Sequence, residues 1–295
     1  MKKRLFFLSL ITCFIFGLCT QTYAFSRGIY LTQETEQNSV KLNGLIQKAK
    51  QYNIDTFVVD INVPSKIYAK NISKILASGI HYVARVVIFP HGGTHAQVTN
   101  KEIWAKRLKL AKYAIGLGAS AIQLDYIRYR AEYPPNTAKA KRILTVVQYF
   151  KNELRPYNVS LQMDIFGIAS IKPAHTIGQD PQELAGVVNT FCPMVYPSHF
   201  EPYRVHATRP YETIADSVKA LKGQLVNHPN TSIITYIEMF NYRYKLSHEG
   251  RLRYISSQMK AAKDSGANGW YMWSATNHYK PLFEVLAARA ESKKG

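Results

Sequence analysis

The chain has 295 residues, a formal net charge of +19 and a hydrophobic fraction of 46%, without low-complexity tracts. This composition is typical of a globular protein and excludes disordered and fibrous classes. The positive charge predicts attraction to anionic surfaces. Because the basic residues are spread over many predicted helices and form no Arg-rich arm or nucleic-acid motif, we expect an acidic environment and no nucleic-acid partner.

The first 24 residues have the pattern of a secretory signal peptide. Lys2, Lys3 and Arg4 precede an apolar run over 5–18, and small residues follow near Ala24. The alternative is a transmembrane anchor, but the run is shorter than the ~20 apolar residues that a span needs. We therefore expect cleavage after residue 24, a secreted or periplasmic protein, no stable membrane anchor, and a mature chain of 25–295 that forms one domain.

Cysteine usage limits how the mature chain is stabilised. Cys192 is the only cysteine after the predicted signal, so no disulfide can form within the mature chain. It lies in an apolar segment beside Pro193. We interpret it as a small core residue and not as a nucleophile.

Eight apolar, strand-like segments alternate with eight helical ones. The strands are predicted at 28–32, 56–62, 82–89, 121–129, 159–166, 189–196, 231–240 and 269–273, and the helices at 40–49, 68–76, 101–117, 138–154, 181–187, 211–221, 252–263 and 280–288. Such alternation implies parallel crossovers, and eight units of this length predict an α/β fold, a single-domain (β/α)₈ TIM barrel. The rival, an open doubly wound sheet, usually has a Gly-rich first turn, and none follows Thr32.

Acidic residues recur at the ends of the predicted strands, where barrel enzymes carry their reactive groups. Asp125 and Arg128 lie at the end of the predicted fourth strand, and the spacing of two between Gln123 and Asp125 predicts that both of these side chains face the barrel interior. A buried carboxylate costs several kcal/mol unless it is paired or lies at an open edge. We therefore expect one rim to gather four acids: Asp60, Asp125, Asp164 and Glu238.

Further polar and aromatic residues are predicted at the same rim. Tyr196 and Trp273 suit the apolar face of a sugar ring, and Arg128 could orient a carboxylate or a hydroxyl. The residues predicted to bind substrate are Asp60, Arg85, Arg128, Tyr196, His199 and Trp273.

Paired carboxylates are what glycoside hydrolysis requires: one protonates the leaving oxygen, and the other attacks the sugar or activates water. Acids of the predicted rim, Asp125, Asp164 and Glu238 among them, could supply both roles. The structural alternative is that the acids pair with Arg85 or Arg128 and only buttress the barrel. For Glu238 the alternative is a solvated acid at the edge of a loop.

Other chemistries are less well supported. His91, His95 and His199 could join the acids around a divalent ion, but the first two lie in a Gly-rich loop and no strand carries a paired ligand motif. No Gly-x-Ser-x-Gly elbow is present, which disfavours serine acyl transfer. We predict no metal and no cofactor.

Several motifs together resemble the putative glycosyl hydrolase domain family, a TIM-barrel group of exported bacterial proteins assigned by likeness to amylase-type barrels. They are Arg27-Gly-Ile-Tyr30, Phe57-Val-Val-Asp-Ile61, Ala84-Arg-Val-Val-Ile-Phe89, Ile122-Gln-Leu-Asp-Tyr-Ile-Arg128, Asp164-Ile-Phe-Gly167, Ile177-Gly-Gln-Asp180, Pro193-Met-Val-Tyr-Pro-Ser-His199 and Gly269-Trp-Tyr-Met-Trp273. The resemblance implies that Asp125 is the nucleophile, Asp164 the general acid and Glu238 the third carboxylate. The chain departs from the family pattern at Ile237-Glu-Met-Phe240 and Ile61-Asn-Val-Pro64.

These observations lead to two functional hypotheses. The first is an exported glycoside hydrolase that cleaves a polysaccharide, with an acidic polymer favoured by the net charge. The second is a non-catalytic barrel that binds a glycan or the cell envelope. The sugar, the stereochemical outcome, the partner of Asp125 and the oligomeric state stay open at this point.

Overall fold

The computed structural model describes residues 25–131, 134–240 and 242–291. The predicted signal peptide lies outside the described residues. Within them, no helix has the length and apolar character needed to cross a membrane.

Eight parallel strands form a closed barrel in which every strand pairs with its neighbours in chain order and the first pairs with the last. This arrangement confirms the predicted (β/α)₈ TIM barrel. The strands are β1 (Ser26–Leu31), β2 (Thr56–Asp60), β3 (His81–Val87), β4 (Ala121–Asp125), β5 (Ser160–Phe166), β6 (Thr190–Met194), β7 (Ser232–Glu238) and β8 (Gly269–Trp273).

Twelve α-helices occur in the described residues: α1 (Gln33–Gln37), α2 (Ser39–Tyr52), α3 (Lys66–Ala77), α4 (His95–Thr99), α5 (Lys101–Gly116), α6 (Thr137–Leu154), α7 (Gly167–Ile171), α8 (Pro181–Leu184), α9 (Tyr203–Ala207), α10 (Pro210–Gln224), α11 (His248–Asp264) and α12 (Lys280–Glu291). All eight predicted helices are present. The four others, α1, α4, α7 and α9, have five residues each, too few to show a helical period in the sequence. They lie in connections that follow strands, at the carboxyl end of the barrel.

Strand β4 is shorter than predicted and ends at Asp125, whereas the sequence suggested a strand through residue 129. Tyr126 has a φ of +50°, in the left-handed region that an L residue with a large side chain rarely adopts. The chain therefore turns directly after the carboxylate, and Arg128 does not continue the line of the strand.

A hydrogen-bonded polar layer fills the barrel below the rim. Gln123 Nε2 donates to Gln162 Oε1 at 3.1 Å and to Cys192 Sγ at 3.3 Å, and the Tyr236 hydroxyl donates to Gln123 Oε1 at 2.7 Å. The Tyr271 hydroxyl lies 3.3 Å from Gln162 Nε2. Cys192 is fully buried and free, which confirms its interpretation as a small core residue.

Candidate active site

Arg85 of β3 is the centre of an ion cluster at the carboxyl end of the barrel. Its two terminal nitrogens donate to Asp60 Oδ1 and to Asp125 Oδ2, and its Nε lies 3.7 Å from Asp164 Oδ2. Arg85 is 4% exposed. One buried cation thus faces three of the four acids that the sequence placed at this rim.

The register of the parallel strands explains how these side chains meet. Asp60 is paired with Arg85 across β2 and β3, and Gln123 is paired with Arg85 across β3 and β4. Between β4 and β5, Leu124 is opposite Met163. Asp125 and Asp164 are the next residues of these two strands, so they lie side by side on strands about 4.8 Å apart. The main-chain N–H of Tyr126 also donates to Asp125 Oδ1, at 2.5 Å.

Asp164 is the most enclosed member of this cluster. It is 1% exposed, and its Oδ1 has no hydrogen-bond partner in the described residues. Burial, reinforced by the negative charge of Asp125, raises the pKa of Asp164 well above its usual value, although Arg85 acts in the opposite direction. Burial therefore favours the uncharged form of Asp164.

Two aromatic rings cover the Arg85 guanidinium. Tyr30 and Trp273 stack with their centroids 4.0 Å apart, and the guanidinium carbon lies 5.3 Å and 5.2 Å from the two ring centres. The Tyr30 hydroxyl donates to Asp60 Oδ2 at 2.5 Å. Asp60 therefore has both oxygens engaged, as the buttressing alternative predicts for this residue.

A cavity of about 620 Å³ opens above the cluster. Arg85 and Asp125 contribute charged groups to its lining, and most of its remaining surface is aromatic or apolar. The aromatic lining residues are Tyr126, Phe166, Tyr196, Phe200, Phe240 and Trp273, and the others are Gly167, Ile168, Met194, His199 and Glu201. Apolar walls with few polar groups are typical of small-ligand sites, and such rings suit the apolar faces of sugars.

Three rings on one wall of the cavity pack edge to face. The centroid of Tyr196 lies 5.5 Å from that of His199 and 5.3 Å from that of Phe240. Burial, together with the positive charge of Arg243, lowers the pKa of His199 below its usual value. His199 therefore presents a neutral imidazole to the cavity at neutral pH.

Glu238 lies outside the cavity lining and is fully buried. Its carboxyl accepts hydrogen bonds from Ser198 N at 3.0 Å, from Ser198 Oγ at 2.6 Å and from the Tyr254 hydroxyl at 2.7 Å. Burial raises the pKa of Glu238 to about 7 despite these donors. The alternative of a solvated acid at a loop edge is therefore wrong.

Arg128 packs against two of the aromatic rings that line the cavity. Its guanidinium carbon lies 4.6 Å from the Phe166 ring centre and 5.5 Å from that of Tyr126, and its Nη1 donates to Tyr129 O at 2.9 Å. Because both rings line the cavity, Arg128 positions aromatic walls, and it is not itself a lining residue.

The histidines considered as metal ligands have other neighbours. The ring centroids of His91 and Tyr126 are 6.4 Å apart, and His95 Nδ1 lies 3.4 Å from the Tyr129 hydroxyl. Throughout the described part of the chain, no three His, Cys, Asp or Glu side chains are grouped so that they could hold a metal ion.

The structure gathers most of the predicted site in one place. Asp60, Arg85, Asp125 and Asp164 share one ion cluster, and Tyr196, His199 and Trp273 line the cavity above it.

Sequence reasoning did not select the lining residues Tyr126, Phe166, Phe200, Glu201 and Phe240. Glu201 stands two residues after the Pro-Met-Val-Tyr-Pro-Ser-His motif, and this proximity was the only signal that could have indicated it.

An eight-stranded parallel barrel with carboxylates and an aromatic cavity at its carboxyl end defines the class of TIM barrels resembling glycoside hydrolases. The family model described as "Putative glycosyl hydrolase domain" matches residues 91–279, and the chain belongs to this family. No protein of curated function matches the sequence.

Solved structures of the same fold share little sequence with the chain. The glycoside hydrolase domain of PgaB (BpsB) from Bordetella bronchiseptica is 11% identical, with a TM-score of 0.65 over 89% of this chain and 99% of that one. An endo-beta-1,4-mannanase from Thermotoga petrophila is 13% identical, with a TM-score of 0.64 over 92% and 77%. A chitinase from Chromobacterium violaceum is 11% identical, with a TM-score of 0.61 over 90% and 98%. At these identities the likeness establishes the fold.

Proposed function

We propose that the protein is an exported glycoside hydrolase that cleaves a polysaccharide, with Asp125 as the carboxylate that attacks the sugar. The observation that carries this proposal is the position of Asp125: it is the strand-end acid that lines the aromatic cavity. Membership of a glycosyl hydrolase family supports the same reaction class.

The surroundings of Asp125 suit an attacking carboxylate. Arg85 and the N–H of Tyr126 hold its two oxygens in fixed directions, which reduces the reorganisation needed when a sugar binds. Trp273 and Tyr196 offer ring faces and edges against which a pyranose can pack. In the reaction, Asp125 bonds to the anomeric carbon as the bond to the leaving oxygen breaks, and water later hydrolyses the glycosyl-enzyme with net retention.

Asp164 and Glu238 have different proposed parts. Asp164 is enclosed beside Arg85, and burial favours its uncharged form, which limits the negative charge around that single cation. Glu238 holds Ser198, and through it the segment that carries His199, against β7. Both residues therefore position the site, and the proton for the leaving oxygen comes from elsewhere.

A polymeric carbohydrate is the substrate class that the observations favour. Similar barrels include proteins named as a mannanase and a chitinase. The net charge, +16 once Lys2, Lys3 and Arg4 are removed from the full +19 with the signal, favours an acidic polymer, because a long chain contacts the exterior of the protein as well as the cavity. Export through a signal at 1–24 would bring the domain of 25–295 to such a polymer in the periplasm or outside the cell.

The variant Asp125→Asn tests the proposal. Hydrolysis of a polysaccharide that the wild type cleaves should fall at least about 100-fold, while the far-ultraviolet circular dichroism spectrum stays unchanged. Asp216→Asn, which alters an exposed acid on α10, is the matched control and should retain activity. Wild-type activity in Asp125→Asn would exclude Asp125 as the attacking group.

A second candidate function is a non-catalytic barrel that binds a glycan. The observation that favours it is Arg85, which contacts Asp60 and Asp125 directly and lies beside Asp164, as expected of acids that buttress a barrel. A glycan array read together with product analysis separates the two functions. Binding without cleavage, across acidic and neutral glycans, would favour the second.

A further inference from the structure

Two carboxylates line the cavity, and they come from different parts of the barrel. Asp125 ends β4 at the floor, and Glu201 stands in the connection between the short 3₁₀ helix Pro197–His199 and α9. Resting on the proposed function, we propose that Glu201 is the general acid, the residue that gives a proton to the leaving glycosidic oxygen.

The other buried acids lack access to a bound sugar. Asp164 is 1% exposed and Glu238 is fully buried, and neither lines the cavity. Asp60 has one oxygen on Arg85 and the other on the Tyr30 hydroxyl. A general acid must come within hydrogen-bond reach of the oxygen that it protonates, so a carboxyl on the lining is required. Glu201 meets this requirement.

Neighbouring side chains hold Glu201 in place. The Tyr203 hydroxyl donates to Glu201 Oε1 at 2.7 Å. The Arg243 guanidinium carbon lies 4.3 Å from the Tyr203 ring centre, and Arg243 Nε donates to Ser198 O at 2.8 Å. These contacts fasten the connection after β6 to the connection after β7, which gives an exposed glutamate a defined position at the cavity.

The chemistry balances over the two steps. As Asp125 bonds to the anomeric carbon, the electron pair of the breaking C–O bond stays on the leaving oxygen, which takes the proton of Glu201. In the second step, a water molecule attacks the anomeric carbon and gives one proton to the Glu201 carboxylate. The bond to Asp125 breaks, both side chains return to their starting states, and one water molecule has been consumed.

The variant Glu201→Gln, compared on two leaving groups, tests the assignment. Hydrolysis of the polymer should fall about 100-fold or more, because an alkoxide leaves poorly without a proton. Cleavage of a dinitrophenyl glycoside of the same sugar should fall less than about 10-fold, because that leaving group needs no proton. Glu212→Gln, an exposed acid on α10, is the control and should behave as wild type.

Two results would overturn the assignment. Unchanged polymer hydrolysis in Glu201→Gln shows that Glu201 donates no proton, and an equal loss on both substrates shows that it only binds the sugar. Either result leaves the proposed function standing, provided that the wild type cleaves the polymer and Asp125→Asn does not. An inactive wild type, or an active Asp125→Asn, refutes the proposed function itself.

Tyr203→Phe gives a second readout that a purely structural role would not produce. The hydroxyl donates to Glu201 Oε1, so its removal releases the carboxyl and should lower polymer hydrolysis about 3–10-fold, while cleavage of the dinitrophenyl glycoside changes less than about 2-fold. An equal effect on both substrates would contradict the assignment.

Discussion

Two groups of buried carboxyls lie near the carboxyl end of this barrel, and they are stabilised by different means. In the first, Asp60, Asp125 and Asp164 surround a single cation, Arg85. In the second, Glu238 forms no ion pair with any of the described residues and accepts three hydrogen bonds from Ser198 and Tyr254. The first group reaches the cavity through Asp125, whereas the second is closed off from it.

The difference shows how a fold can keep one carboxylate at a cavity and enclose others. A cation holds a carboxylate from one side and leaves the other side open, so Asp125 pairs with Arg85 and still lines the cavity. Neutral donors that surround a carboxyl satisfy its oxygens but enclose it. Burial then dominates, and the pKa of Glu238 rises to about 7.

The largest expected effect comes from removing the shared cation. Arg85→Met should lower the free energy of unfolding by about 3–5 kcal/mol or prevent folding, because Asp60 and Asp125 would be left buried without their cation. Urea denaturation followed by tryptophan fluorescence measures the loss. Arg253→Met, at an exposed position on α11, is the control and should change stability by less than about 0.5 kcal/mol. Near wild-type stability in Arg85→Met would mean that the ion cluster is not needed for the fold.

The second expected effect concerns pH and Glu238. Its pKa of about 7 in the folded protein exceeds the ordinary value of 4.5, so the folded state binds this proton more tightly. The resulting stabilisation is complete below pH 4.5 and is lost as the pH rises to about 7. Glu238→Gln should therefore cost about 1–3 kcal/mol at low pH, through mismatched hydrogen bonds, and the cost should shrink as the pH rises. Unfolding titrations at pH 5 and pH 8 test this, and a cost that grows with pH would refute it.

Glu36 on α1 provides the matched control for Glu238. It is fully buried, but its carboxyl oxygens have no hydrogen-bond partner in the described residues. Burial raises its pKa to about 8. Glu36→Gln should therefore cost little at low pH, because no donor is mismatched, and should stabilise the protein relative to wild type near pH 9. The two variants together separate the effect of burial from that of hydrogen bonding.

The smallest expected effect is that of Asp164→Asn. Since burial favours the uncharged form of Asp164, the amide resembles that form in size and charge. Stability should change by less than about 1 kcal/mol, and polymer hydrolysis should stay within about 10-fold of wild type. Loss of activity as severe as that of Asp125→Asn would show that Asp164 takes part in the chemistry.

The sequence predicted the barrel well because each strand is a short apolar segment between helices, and a closed barrel leaves few alternatives. It also predicted that Asp60, Arg85 and Asp125 lie close together, because the order of the strands and the period of two fix where strand-end side chains lie. It did not predict the environment of Glu238, which depends on Ser198 and Tyr254 from segments that no periodicity relates. Glu201 was missed for the same reason, since its position depends on the connections after β6 and β7.

The stacking of Tyr30 on Trp273 has a consequence for how the chain folds. These rings belong to the first and last strands, whose pairing closes the barrel, and they cover Arg85 from the β1–β8 seam. Contacts between the two ends of a chain form late, because a long loop must be closed first. Trp273 therefore lies where its fluorescence should report barrel closure during refolding and, at equilibrium, the arrival of a ligand in the cavity.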